Sequence, residues 1–253
     1  MAGPSVGAIS SAATFGEAPR SGLDGGALPV RAWLLLAAGT AGGLVFTGVY
    51  LAEGATRAGY RALAQPISAL SLGPGGWVQQ LNFILFGVLV LLSAAGWRAA
   101  LAPGRGALAF PVLRVIAGVG LVMDGLFAQD PSGGYPPGAR AGTPTVHGQV
   151  HTLFAVITIT ALASGCFVLA RRFAAEPGWR RWAVLAVAAG VATIVFIAAF
   201  GAAGGYGGLA GLWERAAGGA NSVLTVAVLA RLAVTSLPTA RARRLGPDAG
   251  EAA

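Results

Sequence analysis

The sequence predicts an all-α fold: a polytopic membrane protein whose six transmembrane helices form a bundle. Three observations support this class. Of the 253 residues, 55% are hydrophobic and only 10% are charged, whereas a soluble domain carries about 25% charged residues. The apolar residues gather in six runs, each long enough or nearly long enough to cross a bilayer. These runs are continuous, which favours helices, because the strands of a membrane barrel alternate apolar and polar residues.

The six predicted spans follow one another from residue 32 to residue 234. A helix rises about 1.5 Å per residue, so about 20 residues cross a hydrocarbon core of about 30 Å. The third run is the shortest, and it carries two ionisable residues, Arg114 and Asp124. The runs lie at about 32–52, 77–97, 112–128, 147–170, 182–202 and 216–234.

The segments on either side of the spans differ from them in composition. Residues 1–30 and 238–253 contain no apolar run of useful length and are rich in small residues and proline. We therefore expect disordered tails at 1–30 and 238–253, and one six-helix transmembrane domain at 31–237. The first tail lacks the compact apolar core of a cleavable signal, so the first span is expected to remain as an uncleaved anchor.

The arginines predict the orientation in the membrane. All 17 basic residues are arginine, and 13 of them fall in the tails, in the second and fourth loops or at adjoining helix ends. The other four, Arg57, Arg61, Arg140 and Arg215, belong to the opposite side. Because positive residues favour the cytoplasmic side, we expect both termini to lie in the cytoplasm. Nucleic-acid binding is not expected despite the net charge of +8, because the arginines form no basic face.

Most polar residues of the spans collect at the predicted outer face. They come from the first outer loop and from the outer halves of the second, third, fourth and sixth helices. Pockets between the helices of a bundle are common ligand sites. We therefore predict a polar cavity at the outer face that binds a lipid or a small amphiphile. Its candidate ligand-binding residues are Ser68, Ser71, Asn82, Asp124, Asp130, Glu214, Arg215 and Asn221.

Three of these residues also have simpler interpretations. Asp130 precedes Pro131 and can cap the outer loop. Glu214 can be an ordinary carboxylate at a helix start, next to Arg215 as an interfacial arginine. Alternatively, one member of this pair interacts with Asp124 or with a histidine.

Asp124, His147 and His151 are the candidate catalytic residues. An ionisable group inside a membrane costs about 2.5–3.5 kcal/mol, so it is rare unless it is paired or functional. Asp124 therefore serves either as a hydrogen-bond partner between helices or as a proton-binding or substrate-orienting carboxylate. His147 and His151 are four residues apart and share one helical face. They form either a hydrogen-bonded pair near the interface or two ligands of a zinc ion, completed by Asp124 or Glu214. The first alternative is favoured, so we predict no cofactor.

Five short motifs follow one another along the chain: Pro66–Trp77, Asp130–Pro131 with Gly134–Gly138, His147–His151, Phe167–Phe173 and Gly211–Arg215. Together they resemble the domain-of-unknown-function 998 family of bacterial membrane proteins, over about residues 32–236. The resemblance implies a six-helix inner-membrane protein and no established activity. Members often carry His before the Pro-x-Ser segment, whereas this chain has Gln65, which weakens the metal interpretation.

The sequence leaves three functions open. The first is a ligand-binding or transport-like protein that uses the outer polar cavity. The second is an intramembrane enzyme, a metal-assisted hydrolase or a transferase, which uses Asp124, His147 and His151. The third is a proton-coupled transporter. This function has less support, because the sequence shows neither an inverted repeat nor a polar path through the inner half of the bundle. The oligomeric state is open as well.

Overall fold

A computed structural model describes the backbone of residues 21–139 and 142–245, and the side chains up to residue 235 within these ranges. This part of the chain is all-helical. It contains no strand and six helices that are long and apolar enough to span a membrane, which confirms the predicted fold class. The helices are α1 Val30–Thr56, α2 Gly76–Leu101, α3 Ala109–Leu126, α4 Val146–Ala174, α5 Arg180–Ala202 and α6 Ala210–Leu245.

The residues at the boundaries explain where several helices begin. Pro29 precedes α1, and Gly75 precedes α2 with a φ of 83°, a left-handed value that glycine adopts without steric cost. Thr145 caps α4, because its side-chain oxygen accepts a hydrogen bond from the backbone N–H of Gly148. With 18 residues, α3 is about 27 Å long and just crosses a typical hydrocarbon core.

Each helix packs mainly against its neighbours in the chain, and the loops alternate between two ends of the bundle. The Glu214 end carries the loops 57–75, 127–145 and 203–209. The Arg172 end carries residues 21–29 and the loops 102–108 and 175–179. The first and last helices, α1 and α6, approach each other only at a few positions, so the series of helices closes loosely.

The contact between α2 and α3 is much closer. A Cβ atom added to Gly87 would lie 2.7 Å from the carbonyl oxygen of Gly118, and one added to Gly118 would lie 2.9 Å from the carbonyl oxygen of Gly87. Both distances are too short for a side chain. Glycine on both helices therefore allows their backbones to touch, as is common between transmembrane helices.

The N-terminal segment, which belongs to the predicted tail at 1–30, contacts the bundle where the structure describes it. In its described part, Leu23 is buried in the main hydrophobic core. Its carbonyl oxygen accepts a hydrogen bond of 2.9 Å from the indole N–H of Trp179, and Ser21 accepts one of 2.9 Å from Arg172. These partners lie about 150 residues further along the chain, so composition alone gives no sign of this docking.

The last helix extends into the segment predicted as the C-terminal tail. The backbone of α6 continues to Leu245, whereas the predicted tail begins at residue 238. Residues 1–20, 140–141 and 246–253 lie outside the described part of the chain. The disorder predicted for the tails remains a prediction there.

Candidate functional site

Glu214 and Arg215, near the start of α6, hold the loop between α1 and α2. The Glu214 carboxylate accepts a hydrogen bond of 2.5 Å from the backbone N–H of Ile67. Arg215 donates from Nη1 to the carbonyl oxygens of Ala62 and Gln65, at 2.7 and 3.2 Å. Among the described residues, neither forms an ion pair within 4.0 Å. The alternative in which one of them pairs with Asp124 or a histidine is therefore not realised as an ion pair.

Two further residues complete this attachment of the loop. Gly211 lets the loop approach α6, because a Cβ atom there would collide with two carbonyl oxygens of the loop. The hydroxyl of buried Tyr60 donates to the carbonyl oxygen of Pro66 at 2.9 Å and accepts from Arg215 Nη2 at 2.6 Å. Burial raises the pKa of Tyr60 to about 12, although the neighbouring guanidinium opposes this shift. The hydroxyl therefore stays neutral at physiological pH.

The structure brings Asp124 and His151 together between α3 and α4. Their side chains are buried, and His151 Nδ1 lies 3.8 Å from Asp124 Oδ1. The same nitrogen lies 2.8 Å from the carbonyl oxygen of Phe127, which can only accept, so Nδ1 carries a proton. Asp124 Oδ1 has no hydrogen-bond partner. The pair is thus enclosed at a helix contact, and it is absent from the lining of the two cavities that are described below.

The environment of His147 differs from that of the Asp124–His151 pair. It is exposed, and its ring contacts that of Phe127 with the centroids 5.2 Å apart. The part of the chain that is described contains no group of three or more His, Cys, Asp or Glu side chains that could hold one metal ion. The zinc alternative therefore lacks a ligand set there.

Three other predicted ligand-binding residues form local hydrogen bonds. Ser68 donates to the side-chain oxygen of Gln129 at 2.6 Å, and Ser71 donates to the Ser68 carbonyl oxygen at 2.6 Å. Asn82 on α2 donates to the carbonyl oxygen of Phe46 on α1 at 3.1 Å. These bonds fix the loop and the helix pair, and none of the three residues lines a described cavity.

Asp130 fixes the loop between α3 and α4. Its two carboxylate oxygens accept hydrogen bonds from the hydroxyl and the backbone N–H of Thr145, at 2.6 and 2.9 Å. These bonds hold the pKa of Asp130 below its usual range. The geometry is that of the simpler, capping interpretation, since Thr145 is the residue that caps α4.

A cavity of about 90 Å³ lies inside the bundle between α1 and α6. Phe86 of α2, Arg114 of α3 and Leu162 of α4 bound it from the interior. Two further lining residues, Leu44 of α1 and Val226 of α6, are 62% and 40% exposed on the outside of the bundle. The cavity therefore reaches the flank of the bundle where α1 and α6 separate.

The polar residues of this lining include two that the sequence proposed, Arg215 and Asn221. Asn221 is already engaged, because its amide donates to Thr193 at 2.7 Å and its oxygen accepts from Cys166 at 3.2 Å. Of the described residues, two arginines and no carboxylate line the cavity. The charge of its wall is thus positive.

Arg114 is the second of these arginines, and its place in the chain predicts the cytoplasmic side. In the structure, only 7% of Arg114 is exposed, and it also lines a second, smaller cavity beside Cys166 of α4. It donates from Nη2 to the hydroxyl of Ser93 on α2 at 3.3 Å. The signal that marks it in the sequence is its place inside an apolar run, where a charge is costly.

Six apolar helices, a buried loop held by α6 and an internal cavity define this protein as a multi-pass integral membrane protein. Its family follows from the sequence match. The model of a family described as a protein of unknown function, DUF998, matches residues 40–231, which is more than half of the chain. The chain belongs to the DUF998 family, and the predicted resemblance is confirmed. No curated protein and no solved structure gives a significant match.

Proposed function

We propose that this protein binds a lipid or a small amphiphile in the cavity between α1 and α6. The observation that carries the proposal is an internal cavity, mostly apolar with a few polar groups, that reaches the exposed flank of the helix bundle. An opening on the flank admits ligands that are dissolved in the bilayer. Binding sites in helical bundles commonly lie between helices, with a few polar groups in an apolar lining.

The size of the cavity limits how much of such a ligand it holds. On a scale where one water molecule needs about 10–15 Å³, a volume of about 90 Å³ holds several water molecules. This is enough for a small polar group, and the opening on the flank leaves the apolar chains of the ligand in the bilayer. Gly218 and Gly219 on α6 leave space there, since a Cβ atom added to either would meet no atom within 4 Å.

The proposed setting is the bacterial inner membrane with both termini in the cytoplasm. The distribution of arginines supports this orientation. It places the Glu214 end at the outer face and the attachment of the first loop to α6 near that surface. The cavity then extends from Arg215 toward the middle of the membrane.

Neither alternative function gains support from the geometry. An intramembrane enzyme using Asp124, His147 and His151 needs these groups on a surface that a substrate reaches. Two of them are enclosed between α3 and α4, and the third is exposed on the outside. A proton-coupled transporter needs a continuous polar path, and Asp124 is separated from the cavity lining.

A filled cavity tests the proposal. The Gly218→Leu variant places a side chain in the lining without a clash, and Gly48→Leu is the matched control, since Gly48 on α1 is outside the lining and also has open space. Lipids retained by the purified protein are counted by native mass spectrometry. We expect retention to fall about tenfold, a loss of about 1.4 kcal/mol, in Gly218→Leu and to be unchanged in Gly48→Leu.

A second cavity-filling variant, Gly219→Leu, keeps the test valid if Gly218→Leu does not fold. The unfolding temperature and the monodispersity of each purified variant show whether it is folded. If every folded filling variant retains as much lipid as the wild type, ligand binding in this cavity is disproved.

A further inference from the structure

We infer that the ligand of this cavity carries an anionic group, a carboxylate or a phosphate, which Arg114 binds within the membrane. This inference rests on the proposed function, since it names the class of amphiphile that enters the cavity. It is carried by two observations: a buried guanidinium without a charged partner faces the cavity, and the lining has no competing negative charge.

The first observation concerns the hydrogen bonds of Arg114. A guanidinium has five N–H donors, and the described residues accept from it only through the Ser93 hydroxyl. Its Nε atom is buried and has no hydrogen-bond partner. No carboxylate of the described residues lies within 4.0 Å of it. Asp124, ten residues further along α3, is about 15 Å away along the helix axis.

Such an arrangement is costly for the protein alone. Taking a charge out of water without a partner costs several kcal/mol, and a transmembrane arginine normally faces a partner or a polar cavity. The charged end of Arg114 does not reach the surface of the bundle, because its side chain is buried inside it. An anion in the cavity would supply the missing partner and satisfy the free donors in bidentate geometry.

The second observation concerns the rest of the lining. Arg215 is already committed, since its Nη atoms donate to three carbonyl oxygens and to the Tyr60 hydroxyl. Thr40 and Thr225 donate their hydroxyls to their own helices. Arg215 has only its Nε without a partner, whereas Arg114 makes a single hydrogen bond to the described residues. Arg114 therefore has more spare donors, and Arg215 adds positive potential at the other end of the cavity.

The size of the cavity agrees with a compact anion. About 90 Å³ is enough for a carboxylate or a phosphate group. Fatty acids and anionic phospholipids share this chemistry, and the two sources differ in the group that Arg114 would bind. The positive lining also disfavours an amphiphile with a cationic headgroup, which would leave Arg114 unpaired next to a second positive charge.

The test uses the full chain in nanodiscs of phosphatidylcholine that contain either phosphatidylglycerol or oleate. Native mass spectrometry counts each retained lipid. The variants are Arg114→Gln, which removes the charge, and Arg114→Lys, which keeps it. Arg98→Gln is the control, because Arg98 is exposed in the last turn of α2 and lines no described cavity.

We expect the wild type to retain at least one of the two anionic lipids in preference to phosphatidylcholine. A preference for phosphatidylglycerol identifies a phosphate as the bound group, and a preference for oleate identifies a carboxylate. The preference should fall about tenfold in Arg114→Gln, in part return in Arg114→Lys and persist in Arg98→Gln. A wild type that retains cavity lipid without charge preference, or a folded Arg114→Gln with the full preference, overturns the inference while the proposed function stands. If Gly218→Leu, which fills the cavity, leaves the amount of retained lipid unchanged, both the proposed function and this inference are disproved.

Discussion

At the scale of single residues, the Glu214 end shows how polar groups are accommodated inside a membrane bundle. Arg215 has no carboxylate partner among the described residues, yet its guanidinium donates to loop carbonyl oxygens and to the Tyr60 hydroxyl. Its charge also lies 5.4 Å from the centre of the Tyr50 ring. Backbone oxygens and aromatic faces thus replace a counter-ion, and the loop is fixed in return.

The Tyr60→Phe variant tests this attachment. Loss of the hydroxyl leaves an N–H group of Arg215 and the carbonyl oxygen of Pro66 with fewer partners in a buried place. The expected loss in the free energy of unfolding is about 1–3 kcal/mol. Thermal and denaturant unfolding in mild detergent measures it. Tyr206→Phe is the control, because Tyr206 is exposed and should change little.

The stability of the Tyr60→Phe variant at alkaline pH is a second test of this attachment. The pKa of Tyr60 is raised to about 12 by burial, against about 10 in an unfolded chain. The stability due to the neutral hydroxyl is therefore fully present below about pH 10 and is lost as the pH rises through 12. Tyr60→Phe should lack this component of the alkaline loss, and an identical alkaline profile in both proteins would contradict the assigned hydrogen bonds.

At the scale of helices, the bundle combines one close contact with one open seam. Glycines on α2 and α3 bring these backbones together, whereas the glycines of α6 that face α1 leave empty space. Glycine therefore has two roles in this bundle, close helix contact and open space, and the sequence alone does not show which role a given glycine has. The close contact holds α3, the shortest span, and the open seam provides the cavity in which we propose that a ligand binds.

The Gly118→Ala variant tests the close contact between α2 and α3. The added methyl group meets the carbonyl oxygen of Gly87 at 2.9 Å, and neither backbone can move away without disturbing its helix. Overpacking of this kind costs about 1–3 kcal/mol. Gly48→Ala is the control, where open space and the better helix propensity of alanine predict unchanged or slightly higher stability. Equal unfolding temperatures in the two variants would show that the contact is looser than described.

At the scale of the whole molecule, hydropathy was sufficient for the fold because each span must satisfy its own backbone in lipid. It predicted even the short third span with its two ionisable residues. The partners of the polar groups were not predictable, since they depend on which helices touch. The contact between Asp124 and His151 requires α3 and α4 to be neighbours, and the burial of Arg114 depends on its direction around α3, which cannot be read from a single arginine. The docking of Leu23 depends likewise on a tryptophan far along the chain.

The orientation of the molecule in the membrane is the last prediction, and it follows from the arginine distribution. Cys166 is the only cysteine, so a Cys166→Ala background allows single cysteines to be added. Ala175 and Ala203 are exposed residues that follow α4 and α5 at opposite ends of the bundle. In intact cells, a membrane-impermeant thiol reagent should label A203C, and it should label A175C only after permeabilisation. The parent without cysteine serves as the blank. If only A175C were labelled in intact cells, the predicted orientation would be reversed. The Glu214 end, with the Arg215 side of the cavity, would then face the cytoplasm.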